Sequence, residues 1–336
     1  METGDSRTRI DEFDPGNLKI AHIVPWNASD DDLLFWKQIG LRWVRLEYGR
    51  EDPNVDALRK VQERFAGYGL QIYSARHDIY RSLRIQLGQE GRDEDIEIFQ
   101  VFVRSLGELG ISVGLYDFHP ANTYTTDRVE RQGYIAREFK LDDFRNKIEK
   151  QQFDREYPAE EMWEHYTYFV KAVLPVAEEA GVRLGLHPDD PPLAMMNGVA
   201  KLFIDYDGYR RAEEIAGGSE SWGLKFCVGT WIEGGEGMGK DVFEMIADFG
   251  GRGKILDVDF RNVSGPMPHF VETFLGDGYV DMYQVMKALR QVEYSSGIVP
   301  DHIPELEGDD KVRRAGAAYC IAYMQALLRR ANEEVG

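Results

Sequence analysis

Cys227 and Cys320 are the only cysteines among the 336 residues. They allow one bridge at most, which excludes a disulfide-built scaffold. Basic clusters are also scarce: 40 Lys and Arg stand against 59 Asp and Glu, a formal charge of -19. A nucleic-acid duplex demands a cationic surface, so no nucleic-acid partner is expected. The acidity favours solubility and repels anionic membranes at long range, yet it leaves room for a small anionic ligand at a locally cationic site. No apolar run approaches the roughly 18 residues of a membrane-spanning helix, so no membrane partner is expected. The opening METGDSRTRIDEFDPG lacks the apolar centre of a secretory signal, and the expected location is cytoplasmic. Nucleotide loops of the GxGxxG or GxxxxGKS type are missing, as are solenoid repeats and low-complexity tracts.

What is present is an alternation. Short β-rich runs lie at 19–24, 41–47, 70–76, 112–118, 183–187, 223–228, 255–260 and 297–301. Several are almost continuously apolar, as strands buried on both faces are. Helical patterns fill the gaps at 30–39, 55–68, 94–109, 153–180, 241–249, 282–292 and 311–328, several opening on Asp or Ser caps. The pattern predicts an α/β fold, a single (β/α)8 TIM barrel over 19–330 preceded by an extension at 1–18. An open doubly wound sheet is the competing fold, and it would want a nucleotide-binding glycine loop. The polar, arginine-rich stretch 123–152 is expected to be a lid insertion at the C-terminal face. The stretch 189–217 also breaks the spacing, and its KLFIDY has the composition of a ninth strand. His165 in EHYTYF and Cys320 in AAYCIAYMQAL fall in helical patterns and are expected to be structural.

Barrel active sites draw residues from the ends of several strands. Those ends carry His187 in LHPDDPP, Cys227 in LKFCVGT, Asp259 in LDVDFRN and Asp301 in VPDHIP. Imidazole, thiolate and carboxylate are ligands for a divalent ion, and four of them on consecutive strands make a candidate metal site. Singly, each has an ordinary structural reading. Cys227 reads as a small buried residue, His187 as a turn cap and Asp301 as a turn residue. Asp259 has a rival in Asp257 on the same strand face, and is preferred because it lies nearer the strand end. Arg261 and Asn262 follow at once, and an arginine there suits a substrate carboxylate or a surface ion pair. His302 is a candidate general acid for a leaving hydroxyl, with a supporting role as the alternative. His77 is a second catalytic candidate, and Arg76, His119 and Asp190 are candidate substrate contacts.

At these residues the sequence resembles the mannonate dehydratase family. The matching segments are LHPDDPP at 186–192, LKFCVGT at 224–230, FRNV at 260–263, ETFLGDGYVDMYQVMKAL at 272–289 and PDH at 300–302. The resemblance implies a barrel of the xylose-isomerase-like group that removes water from D-mannonate to give 2-keto-3-deoxy-D-gluconate. It implies a divalent metal ion, Mn2+ or Fe2+, held by His187, Cys227 and Asp301. It also implies an acid/base role for His302 and a substrate-side pair in Arg261 and Asn262.

Two departures stand out. The family carries histidine where this chain has Asp259, and it carries a catalytic tyrosine in a longer loop after Pro-Asp-His. Here PDHIPELEGDDKVRRAG contains no tyrosine, and the next one is Tyr319. With Asp259 as a fourth ligand, a divalent site carries one net negative charge, where histidine would leave it neutral. That extra charge weakens attraction for an anionic sugar acid and predicts a substrate other than mannonate. The alternatives are a related lyase, isomerase or epimerase acting on an uncharged or oxidised carbohydrate, and a non-catalytic carbohydrate-binding barrel. The partner expected is a small sugar acid or related carbohydrate, and a homo-oligomer is compatible with the sequence.

Overall fold

The computed structural model describes residue 14, residues 16–49 and residues 52–335, so most of the expected 1–18 extension lies outside it. In chain order the strands are β1 (Lys19–Pro25), β2 (Trp43–Tyr48), β3 (Gln71–His77), β4 (Val113–Tyr116), β5 (Asp127–Arg131) and β6 (Tyr134–Lys140). There follow β7 (Arg183–Leu186), β8 (Met195–Met196), β9 (Val199–Ala200), β10 (Trp222–Cys227), β11 (Ile255–Phe260), β12 (Asn262–Val263), β13 (His269–Thr273) and β14 (Gly297–Pro300). Eight of them close into a parallel barrel in the order β1-β14-β11-β10-β7-β4-β3-β2. These are the eight runs expected from the sequence. β11 is buried at all six positions, its two aspartates included, as a strand covered on both faces is.

Helices pack around the barrel in the expected gaps, and several of their starts are capped by side chains. Ser29 accepts from the Asp32 N–H while Asp32 reaches back to the Ser29 N–H, a reciprocal box at the start of helix Asp30–Gln38. Asn54 caps helix Val55–Gly67 and Asp281 caps helix Met282–Gln291. Cys320 is buried in helix Arg314–Val335, as expected of a core residue.

The barrel interior is polar at one level. Arg45 on β2 and Asp257 on β11 form a buried ion pair, and the Asp257 carboxylate also accepts from Tyr73 Oη and Ser74 Oγ, each at 2.9 Å. A buried charge is tolerable only when paired and hydrogen-bonded in this way.

Two irregular segments differ in outcome. The insertion forms β5 and β6, and β6 pairs antiparallel with β13, which pairs with β12. The resulting four-stranded sheet meets the loop after β14 through the Ile135–Glu305 bridge, at the C-terminal face. KLFIDY, by contrast, is no strand. The Leu202 and Phe203 N–H groups donate to Asp189 Oδ2 at 2.9 and 3.0 Å, so a side chain supplies what a strand neighbour would. Asp205 then caps helix Tyr206–Ile215. Helix Val228–Gly234 and strands β12 and β13 were not expected from the sequence.

Candidate metal centre and active site

β7, β10 and β11 are neighbours in the barrel, and Cys227 stands in register with Asp259. Their ends bring His187, Cys227 and Asp259 together, with one ligand atom of each within 4.8 Å of the others. All three are buried. His187 Nδ1 donates to the Pro188 carbonyl at 2.7 Å, which leaves the Nε2 lone pair for the cluster. Nε2 lies 3.2 Å from Asp259 Oδ2. Cys227 Sγ accepts from the Thr230 N–H at 3.4 Å and lies 3.5 Å from Arg261 Nη2. Burial, reinforced by the Asp259, Asp301 and Asp190 carboxylates, pushes the thiol up to about 12 against the pull of Arg261. A cation is what such a site needs to hold a thiolate. One imidazole lone pair, one sulfur and one carboxylate converging in a buried space fit a divalent transition ion. Asp257 lies outside this set and is bound to Arg45, so Asp259 is the aspartate that the cluster contains.

The charge on Asp259 is not free. Arg45 Nη1 donates to Oδ1, and Lys225 Nζ lies 2.9 Å from Oδ2. Burial would raise this carboxyl, but Arg45, Lys225 and His187 together hold it well below the usual range. Arg45, Lys225, Asp257 and Asp259 form a neutral quartet. The expected surplus negative charge is therefore absent, and with it the electrostatic reason to doubt an anionic sugar acid.

Arg261 differs from its expected role as a substrate grip. Its guanidinium is fully buried and faces four carboxylates. Nη1 donates to Glu233 Oε1 and to Glu272 Oε1, the latter at 3.2 Å; Nη2 donates to Asp190 Oδ2 at 2.6 Å; Nε faces Asp301 Oδ2 at 3.4 Å. A Cβ at Gly229 would collide with Arg261 Nε, so glycine is what lets helix Val228–Gly234 pass over it. Asp190 is thus a partner of Arg261 and not an open substrate contact, and Arg261 holds its carboxyl down at about 2 despite burial. Asp301 borders the three-residue set but is outside it.

Comparison with known proteins decides the family. The family model described as D-mannonate dehydratase (UxuA) matches residues 133–334, well over half of the chain. Mannonate dehydratase 2 of Halalkalibacterium halodurans is 29% identical over 245 residues, which span 65% of this chain and 70% of the relative. The mannonate dehydratase of Oceanobacillus iheyensis is 30% identical over 245 residues, 65% of this chain and 68% of the relative. The chain belongs to the mannonate dehydratase family. The crystal structure of mannonate dehydratase from Streptococcus suis serotype 2 has the same fold, with a TM-score of 0.83 at 24% identity over 95% of this chain and 96% of that one. Membership and the metal-binding cluster together support a metal-dependent sugar-acid dehydratase.

Within this member of the mannonate dehydratase family, the other candidates fall into two groups. His302 is close to the cluster. Its Nδ1 bonds Glu272 Oε1 at 2.7 Å, and its Nε2 lies 3.7 Å from Asp301 Oδ2. Burial would lower this imidazole, but Asp301 and Glu272 raise it above its ordinary value. Its φ of 46° is in the left-handed region, strain of the kind found at functional sites. His119 packs edge-on to His187 with ring centroids 5.8 Å apart, and its Nε2 lies 3.2 Å from Asp117 Oδ1. Burial brings His119 down to about 3, so it is neutral. Arg76 pairs with Glu47 across the ends of β3 and β2.

His77 and Asn262 point elsewhere. His77 packs against Tyr48 and Phe102, between barrel and helix layer, and its Nδ1 accepts the Ile79 N–H at 3.1 Å. Asn262 Nδ2 donates to the Leu275 and Val280 carbonyls at 2.9 and 2.8 Å, and Oδ1 accepts the Val263 N–H. It ties the loop after β13 to β12. Asn262→Ala is expected to cost about 2 kcal/mol of stability through the stranded carbonyls. A thermal melt should show that loss with KM little changed; a raised KM at unchanged melting would return Asn262 to the substrate. Sequence reasoning missed Arg45, Lys225, Glu233 and Glu272. Lys225 had a local signal, since it lies two residues before Cys227 and shares its strand face.

Proposed function

We propose that the chain is a hydro-lyase that converts D-mannonate to 2-keto-3-deoxy-D-gluconate with Mn2+ or Fe2+. The observation that carries this is the buried His187–Cys227–Asp259 set at the barrel mouth, with His187 Nε2 left free to coordinate. Asp301 at the end of the adjacent β14 is the fourth ligand in this scheme. When bound, the ion supplies Lewis acidity to substrate oxygens and stabilises the charge that develops as the C2 proton leaves.

The chain's own groups supply the rest. Glu272 fixes His302 through Nδ1, so Nε2 is the atom presented for proton transfer. Arg261 holds Asp301, Asp190 and Glu233 in place and does not touch substrate. The pair of neutralising cations at Asp259 keeps the site acceptable to a carboxylate substrate.

The test is a keto-acid assay on a panel of sugar acids with Mn2+, with and without a chelator. A 2-keto-3-deoxy product from D-mannonate, lost on chelation and restored by Mn2+, is the expected result. Keto acid from a different sugar acid alone would overturn the substrate. Epimerised sugar with no loss of water would overturn the elimination.

A further inference from the structure

Removing water across C2 and C3 of a sugar acid moves two protons, one off carbon and one onto the leaving oxygen. Most polar groups near the cluster are already committed. Asp117 Oδ2 accepts from Tyr80 Oη at 3.0 Å and from Arg81 Nε and Nη2 at 3.0 and 2.7 Å. Asp190 is bound to Arg261, Glu47 to Arg76, and Asp259 to Arg45 and Lys225. The loop from 303 to 313 holds no tyrosine or histidine. Tyr319 lies on helix Arg314–Val335, half-exposed and packed on Phe274.

Tyr124 is different. It precedes β5 in the insertion, and its ring stands edge-on to His302 with centroids 6.1 Å apart. Its hydroxyl lies 2.9 Å from His119 Nε2, and His119 in turn packs on the metal-side His187. The phenol therefore sits between His302 and the side of the mouth that carries the cluster. The segment that bears it is held firmly. Asn197 Nδ2 donates to the Ala121 carbonyl at 2.8 Å and to Thr123 Oγ1 at 3.1 Å, Asn122 Nδ2 donates to the Asp190 carbonyl at 3.0 Å, and Lys201 donates to the Pro120 carbonyl. Rigid support of this kind is what a proton-transfer group requires.

We propose that Tyr124 is the proton donor to the leaving C3 hydroxyl, acting opposite His302. The C2–H pair becomes the C2–C3 double bond as the proton passes to His302 Nε2. The C3–O bond breaks, the departing oxygen takes the phenol proton, and water leaves. The enol then tautomerises to the 2-keto acid, and the tyrosinate recovers a proton from the imidazolium through solvent. Burial, Asp117 and Asp190 all raise the Tyr124 phenol above its ordinary value, so it enters as a protonated donor. His119, 2.9 Å from the hydroxyl, orients it and is a positioning residue.

This inference rests on the dehydration proposed above, and wild-type turnover separates the two. If the Mn2+-loaded wild type forms no keto acid from any sugar acid, the dehydration itself is wrong. If the wild type turns over, Tyr124→Phe decides the role of the phenol. The expected result is a kcat lowered about 100-fold or more, with KM and Mn2+ affinity within about threefold of wild type. In D2O, substrate recovered from the Y124F reaction should gain deuterium at C2, because the proton still leaves carbon while the hydroxyl cannot depart. A kcat within about threefold of wild type overturns the proposal. So does a parallel loss of turnover, C2 exchange and Mn2+ binding, which would make Tyr124 a structural residue.

Discussion

Replacing Arg261 with methionine is expected to destabilise the fold by about 3–5 kcal/mol, because the change strands buried carboxylates that lose their shared cation. Methionine keeps much of the volume, so packing loss is the smaller part. What remains is Asp190, Glu233, Glu272 and Asp301 around an apolar side chain. Burial and the repulsion of Asp190 and Glu272 already hold Glu233 well above the ordinary carboxyl range, so it is the one acid in the group that meets neutrality by keeping its proton. Without the guanidinium, Asp190 loses the partner that holds it near 2. Cys227 loses the cation 3.5 Å from its sulfur, so Mn2+ binding should weaken as well. Chemical denaturation and an Mn2+ titration read the two effects. Adding Asp190→Asn to the methionine variant should recover part of the stability, since it removes one stranded charge. An arginine that simply gripped the substrate carboxylate would behave otherwise: Arg261→Met would raise KM with an unmoved denaturation midpoint.

How far the sequence reaches depends on whether a signal is local. The eight barrel strands were legible because a strand buried on both faces leaves a short apolar run, and Gly and Pro punctuate the runs. His187, Cys227 and Asp259 were legible because strand ends converge in any barrel, whichever side chains they carry. Asn262 and Arg261 were not. Both follow β11 in a segment that looks like a substrate edge, yet the partners that fix their roles lie elsewhere in the chain: Leu275 and Val280 for the amide, Asp190 and Glu233 for the guanidinium. KLFIDY misled for the same reason. Its apolar residues are buried as a strand's would be, but Asp189 takes their amides. Tyr124 lay inside a stretch recognised as an insertion, with nothing local to distinguish it from the other aromatic residues there. Its meaning comes from His119 and His302, brought together only by the closed barrel.

The charge of the metal centre shows the same limit and leads to a sharp prediction. Counting ligands along the sequence gives a surplus negative charge at Asp259, because Arg45 lies 214 residues away and its strand reads as core. In the folded protein Arg45 and Lys225 cancel Asp257 and Asp259. Asp259→His, which brings in the family's usual residue, should therefore make the centre worse. The quartet would change from neutral to one net positive charge beside a divalent cation. At about 4 Å and an effective dielectric near 20, one unit charge against a doubly charged ion is repelled by on the order of 8 kcal/mol, so Mn2+ affinity should fall by at least about a thousandfold. Stability should fall by about 3–5 kcal/mol as Lys225 and Arg45 lose a buried partner. The double variant Asp259→His with Lys225→Met restores a neutral quartet and should regain most of the Mn2+ affinity. Isothermal titration of Mn2+ into the wild type and the two variants measures this directly. If the single variant Asp259→His bound Mn2+ as tightly as wild type, with no loss of stability, the neutral quartet would not be what sets the charge of this centre.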